Sequence, residues 1–101
     1  MDNSTPQAVE IEKAILGAII VEPESFLLVA NILNSDCFYD HKNKLVYLAL
    51  EQMHTRSENI DILSLSLELD RLGKLEEVGG NGFLIGLTKD IASANHIEFH
   101  A

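Results

Sequence analysis

Between Asp40 and His54 the chain reads DHKNKLVYLALEQMH, and Leu45-Val46-Tyr47-Leu48-Ala49-Leu50 is an unbroken run of six apolar residues. A helix at a protein surface carries one apolar stripe and a polar back, whereas a helix apolar all round must be enclosed. The run is far shorter than the roughly 20 residues needed to cross a bilayer. Residues 40–54 are therefore expected to form the central helix of a small soluble bundle, with the other segments packed around it. Leu→Ala at Leu45 or Leu48 is expected to cost about 2–5 kcal/mol, a large share of the stability of so small a domain.

The flanking segments carry helix punctuation. Thr5-Pro6 places a hydroxyl at an N-cap and proline at the first helical position. Ala8, Ile11, Ile15, Ala18 and Ile19 then recur at three and four, predicting one apolar face, with Glu10 and Lys13 paired on the opposite side. Gly17 inside this helix is expected to mark close packing against a neighbour. Pro23 opens a second helix, where Phe26, Val29, Ile32 and Leu33 line the inner face and Leu27 and Leu28 widen the stripe. Periodicity does not separate core from interface for Leu27 and Leu28. Asn34-Ser35-Asp36 breaks this helix, and Cys37-Phe38-Tyr39 forms a short apolar hook.

Residues 55–59 read as a polar loop. The next segment, Ile62-Leu63-Ser64-Leu65-Ser66-Leu67-Glu68-Leu69, alternates as a half-buried strand would. Asp61 as N-cap, Gly73 at the C′ position and the stripe Ile62, Leu65, Leu69 and Leu72 favour a helix instead. Leu75–Val78 is at most one turn. Gly79-Gly80-Asn81-Gly82 is a corner, Phe83, Leu84, Leu87 and Ile91 predict another short helix, and Ser93 caps a last one. The expected fold is all-α: a compact orthogonal bundle of about five to six short helices around a buried central helix over residues 40–54. Its predicted core comprises Ile15, Ile19, Phe26, Phe38, Leu45, Leu48, Ala49, Leu65, Leu69, Phe83 and Leu84, with Gly73, Gly79 and Gly80 as turn glycines.

At 101 residues the chain holds one domain with a single core. A hydrophobic share of 47% with 23% charged residues is ordinary globular composition. The net charge of −9 repels phosphate backbones, so direct nucleic-acid binding by this piece is not expected. One cysteine cannot form an internal disulfide, and no basic leader precedes an apolar run, which fits a cytoplasmic location.

Candidate chemistry is sparse. The glycine corner lacks the Gly-x-x-x-x-Gly-Lys-Ser/Thr spacing of a phosphate loop, so a tight turn is the better reading. His96 and His100 stand at i and i+4, a zinc-capable spacing, but no third and fourth ligands accompany them. His41 near the start of the central helix has no nucleophile beside it and is expected to pack or cap. Cys37 is expected to be a small buried hydrophobe. Paired carboxylates such as Glu22/Glu24 and Glu76/Glu77 read as solvated faces. No catalytic, cofactor-binding or metal-binding residue is assigned, and the residues alone give an acidic α-helical interaction domain.

The order of motifs resembles the N-terminal domain of the DnaB-type replicative DNA helicase family. Pro6 with Glu10-Ile11-Glu12-Lys13-Ala14-Ile15-Leu16-Gly17 looks like that family's opening helix. Phe38-Tyr39-Asp40-His41 resembles its Phe-Tyr-x-x-His element with the histidine one residue early. Ile60-Asp61 fits the Ile-Asp that opens its next helix. Leu72-Gly73, Leu75-Glu76 and Gly79-Gly80 before Phe83-Leu84 match its Gly-x-Leu-Glu-x-x-Gly-Gly signature. The tail Ser93-Ala94-Asn95-His96-Ile97-Glu98-Phe99-His100-Ala101 is similar to its Ser-Ala-Ala-Asn-Ile-Glu-Tyr-Tyr-Ala, with His96 where an asparagine is usual and His100 replacing an aromatic.

The resemblance implies a loose tail over residues 1–5, a helical collar domain over 6–92, and the start of a linker or hairpin helix over 93–101. On this resemblance the chain would end before the family's helical hairpin, and the RecA-like ATPase domain would lie outside it. It implies a binding and oligomerisation module, without catalysis of its own, in a bacterial replicative ATP-dependent DNA helicase of the primosome. Its partners would be primase and neighbouring helicase subunits, in a hexamer for the parent and with a dimer as the candidate state of the piece alone. Ile97 and Phe99 are the candidate self-association residues. ATP and Mg are expected only in the missing domain. The alternative is a free-standing helical adaptor, such as a primase C-terminal helicase-binding domain.

Overall fold

The computed structural model of the chain describes residues 6–89. Its regular elements are all helical: α1 (Pro6–Val21), α2 (Phe26–Ala30), α3 (His41–Thr55), α4 (Ile62–Arg71), α5 (Leu75–Val78) and α6 (residues 80–89). Single 3-10 turns, Pro23–Ser25 and Ser35–Cys37, lead into α2 and into the hook before α3. The alternating segment is thus helical, as its end signals predict. Asp61 caps α4 through Oδ1, which accepts the Ser64 N–H at 2.8 Å and the Ser64 hydroxyl at 2.7 Å.

α3 packs against α1, α4 and α5, which makes it the central helix. Asn43, Val46, Tyr47, Ala49, Leu50 and Met53 of α3 are buried and meet Leu16, Ile19 and Ile20 of α1, Leu65 and Leu69 of α4, Val78 of α5, and Leu84 and Leu87 of α6. The enclosure of α3 is incomplete. Leu45 is half-buried against the core, and Leu48 is half-buried outside it. The larger cavity cost therefore belongs to Leu50, which is fully buried.

α1 is turned by one position from the face its periodicity predicts. Leu16, Ile19 and Ile20 point inward with Glu12, whereas Ile11 is 55% exposed and Ala8, Ile15 and Ala18 are half-buried. A polar residue holds the centre of the face because its carboxylate has buried work, described below. Gly17 is itself buried. On α2, Phe26 is buried and Val29 and Leu33 pack against the core, but Ile32 points outward at 80% exposure. The five-residue α2 ends before Ile32 can turn in.

Two helices stop in the same way. Past Leu72 at the end of α4, Gly73 takes a left-handed φ of 73°, and the N–H groups of Gly73 and Lys74 donate to Asp70 and Leu69 at 3.0 and 2.8 Å. Past Arg56 at the end of α3, Ser57 takes a left-handed φ of 58°, and Ser57 and Glu58 donate to His54 and Met53 at 3.0 and 2.9 Å. Both are six-to-one, five-to-two closures, which satisfy carbonyls that a helix end otherwise leaves open. Gly79 and Gly80 follow α5 with φ of 107° and 74°, turning the chain into α6.

Candidate functional site

The most built feature of the surface lies where α1 meets the hook before α3. Glu12, 7% exposed, accepts the backbone N–H of Tyr39 at 2.7 Å and of Asp40 at 3.2 Å, and the Asn43 side-chain amide at 3.1 Å. Asp40 in the same turn caps α3, its Oδ2 accepting the Asn43 N–H at 3.1 Å. A carboxylate taken from water needs such donors, and charge-assisted hydrogen bonds are the strong ones. The Asn43 amide also donates to the Val9 carbonyl at 3.4 Å, so one side chain ties two successive turns of α1 to α3.

This tie holds open a groove of about 350 Å³ between α1 and the hook, lined by Ala8, Ile11, Glu12, Ile15, Leu33, Cys37, Phe38 and Tyr39. Phe38 forms its floor, buried against Tyr47 with ring centroids 4.7 Å apart. Tyr47 lies between Phe38 and Phe26, the latter at 5.8 Å, and its hydroxyl donates to the Leu33 carbonyl at 3.3 Å. Burial, then the nearby Glu51 carboxylate, pushes the Tyr47 phenol above its ordinary value. Ile11 and Tyr39, each 55% exposed, stand at the rim. Cys37 is exposed rather than buried, because the 3-10 turn that starts at Ser35 points it outward.

Ahead of Leu33 in the groove wall, α2 and the turn after it present Leu27, Leu28 and Ile32 at 58%, 69% and 80% exposure. The structure thus places Leu27 and Leu28 outside the core. Large aliphatic side chains exposed together within six residues mark an interaction site far more often than a catalytic one. Elsewhere, α4 exposes Leu63 and Leu67, and Leu67 lies beside an ion cluster in which exposed arginines converge on the buried Glu68. Glu68 receives the Arg71 guanidinium at 2.7 Å and the Arg56 guanidinium as well, while Arg56 also donates to Glu58 at 2.9 Å. These arginines, Arg71 first, hold the Glu68 carboxyl below its ordinary range, and Glu58 and Glu68 raise Arg56.

The predicted core residues divide. Ile19, Phe26, Phe38, Ala49, Leu65, Leu69 and Leu84 are buried, and Ile15, Leu45, Leu48 and Phe83 are half-buried. His41 neither packs nor caps. It is exposed on the first turn of α3 and bonds to Glu77 of α5, and that bond, more than any other neighbour, holds the Glu77 carboxyl low. Glu76 and Glu77 are both exposed, as a solvated face would be, and Glu77 alone of the pair engages the histidine. Among the described residues no group of three or more His, Cys, Asp or Glu converges as a metal site would. His96, His100, Ile97 and Phe99, together with Ile91 and the Ser93 cap, lie outside the described residues.

Glu12, Asn43, Ser57 and the Arg56–Glu68–Arg71 cluster escape sequence reasoning, because each joins residues that no periodicity relates. The one available signal is Glu12 itself, an acid four residues before Leu16 on a face otherwise apolar.

Comparison with known proteins is consistent throughout. A family model described as the DnaB-like helicase N terminal domain matches residues 4–101. The chain is similar to the replicative DNA helicase DnaB of Rhodothermus marinus, 38% identical over 96 residues, which are 95% of this chain and 10% of that protein. It is 34% identical over 100 residues to the replicative DNA helicase DnaC of Bacillus subtilis, covering 99% of this chain and 22% of that protein. The crystal structure of the N-terminal domain of DnaB helicase from Mycobacterium tuberculosis superposes with a TM-score of 0.76 at 29% identity, over 77% of this chain and 56% of that one. The chain thus spans about a tenth to a fifth of the curated relatives it matches.

Proposed function

Because the chain belongs to the DnaB-like helicase N-terminal domain family, we propose that it serves as the assembly and primase-contacting module of a bacterial replicative DNA helicase. In this reading it catalyses nothing itself. ATP and Mg belong to a RecA-like domain outside this chain, and the working location is the cytoplasm. Among the described residues no helix is long and apolar enough to cross a membrane.

The observation that supports the reading best is the exposure of Leu27 and Leu28 on α2 and of Ile32 in the turn after it, together with the groove rimmed by Ile11 and Tyr39. A domain that worked alone would gain nothing from holding three large aliphatic side chains in water, since burying each is worth about 1.5–3 kcal/mol. Association with a neighbouring subunit or with primase would bury them. The acidic surface fits a role in protein contacts, with DNA handled elsewhere in the helicase.

The test is calorimetric titration of the chain with the helicase-binding domain of a bacterial primase, alongside light scattering over a concentration series. Saturable heat with the primase domain, or reversible self-association, supports the proposal, and Leu28→Ser with Ile32→Ser should weaken whichever is seen. A strictly monomeric chain that ignores primase, or one that hydrolyses ATP by itself, overturns it.

A further inference from the structure

The basic residues of this acidic chain are not scattered. It has 7 lysines and arginines against 16 carboxylates. Lys13, Lys44, Arg56, Arg71 and Lys74 each pair with a carboxylate. Lys42 and Lys89 have no such partner among the described residues, although acids outnumber bases more than two to one. Both come to one place, around Phe83.

Three helices build that place. Lys13 from α1 and Lys42 from α3 hold their ammonium groups 5.8 and 5.7 Å from the centre of the Phe83 ring. Lys13 and Lys89, with Phe83, Gly82, Gly86 and Leu87 of α6, line a trough of about 260 Å³. Lys42 stands in the first turn of α3, where the helix dipole disfavours a positive charge. Its position works against the stability of its own helix, and among the described residues no carboxylate pairs with it. Lys13 shares its charge with Glu10, but Lys42 by the half-buried Phe83 ring and Lys89 in the trough do not, so an anionic partner relieves what the fold alone does not.

We infer that the Lys13–Lys42–Lys89 cluster around Phe83 is a docking site for a short acidic peptide segment of another protein, with one apolar side chain set between flanking carboxylates. The apolar side chain rests in the trough against Phe83 and Leu87, and the carboxylates take the lysines. Charge complementarity chooses the occupant. Lys13 and Lys89 in the trough, with Lys42 by the Phe83 ring, match a few carboxylates, whereas a nucleic-acid strand would run beyond them onto a surface carrying a net −9. The inference does not rest on the primase assignment, since any acidic segment of this form would fit.

The probe is a fluorescein-labelled synthetic peptide alternating Asp with Phe and Leu, titrated against the whole chain by anisotropy. Its controls are the same peptide with Asn for Asp, and a single-stranded oligothymidine. Saturable binding that weakens with added salt is expected for the acidic peptide. The double variant Lys42→Gln, Lys89→Gln should bind roughly fivefold to tenfold more weakly. Its melting temperature should not fall, because both side chains are solvated and Lys42 opposes its helix. Lys44→Gln, which removes a lysine already paired with Asp36, should leave binding unchanged. The inference is overturned by an absence of saturable binding, by equal binding of the Asn peptide, by a double variant that binds as tightly as the parent, or by oligothymidine that binds more tightly and displaces the peptide.

Discussion

The Glu12 carboxylate accepts the Tyr39 backbone N–H at 2.7 Å across 27 residues of sequence. This contact fixes where the hook lies on α1 and so sets the shape of the groove above it. Removing the carboxylate takes the acceptor from two backbone donors and leaves the Asn43 amide with only its longer bond to Val9. Glu12→Ala should lower unfolding free energy by about 2–3 kcal/mol, and Glu12→Gln, which keeps one acceptor oxygen, by about half as much. Urea denaturation of the three proteins checks the order, and equal midpoints would remove Glu12 from its structural role.

Ser57 and Gly73 end α3 and α4 with the same pair of closing hydrogen bonds, but only one of them is glycine. A side chain in the left-handed region costs about 1 kcal/mol. Ser57→Gly should therefore stabilise the chain by about that amount, and Gly73→Ala should destabilise it similarly. No atom lies within 4 Å of a Cβ added at Gly73, so backbone conformation alone sets that penalty. Thermal melting of the two variants should give shifts of opposite sign.

The exposed α2 ridge and the core of α3 should respond differently to truncation. Leu50→Ala, at a fully buried site, should cost about 2–5 kcal/mol. Leu27→Ser and Leu28→Ser should leave the unfolding midpoint nearly unmoved while reducing any self-association seen by sedimentation. A large loss of stability from Leu28→Ser would show that the ridge is packed within the folded chain.

Acid should loosen the fold through three depressed carboxyls: Asp61, held low first by the Ser64 N–H, Glu68 by Arg71, and Glu77 by His41. In each case the folded chain favours the ionised form more than the unfolded chain does. The stabilisation is complete above the ordinary values, 3.8 for Asp61 and 4.5 for the glutamates, and is lost as pH falls through the depressed ones. Chemical denaturation at pH steps through the acid range should show stability falling below those ordinary values. Glu68→Gln should flatten part of the slope.

Much of the architecture was legible because helix ends speak locally. Asp61 and Gly73 decided helix over strand for α4, and the hydrogen bonds they make are the ones such residues supply. Asp40 likewise starts α3 where the reading put it. The phase of α1 was not legible. Ile11 and Ile15 repeat as a buried face would, yet Glu12 takes the inward position because its partners lie beyond residue 38. A distant pairing of this kind leaves no mark in local spacing. The same holds for the cations gathered on Phe83, which come from three helices. Ser57 hid for another reason, since serine rarely adopts the conformation that glycine at residue 73 advertises.

Tyr47 is fully buried between Phe26 and Phe38, hydrogen-bonded to Leu33, in a chain with two tyrosines and no tryptophan. Its aromatic circular dichroism is therefore a natural gauge of whether α2, the hook and α3 remain in register. A partner that pries at this corner would register in that signal before any helix melts, with no label attached.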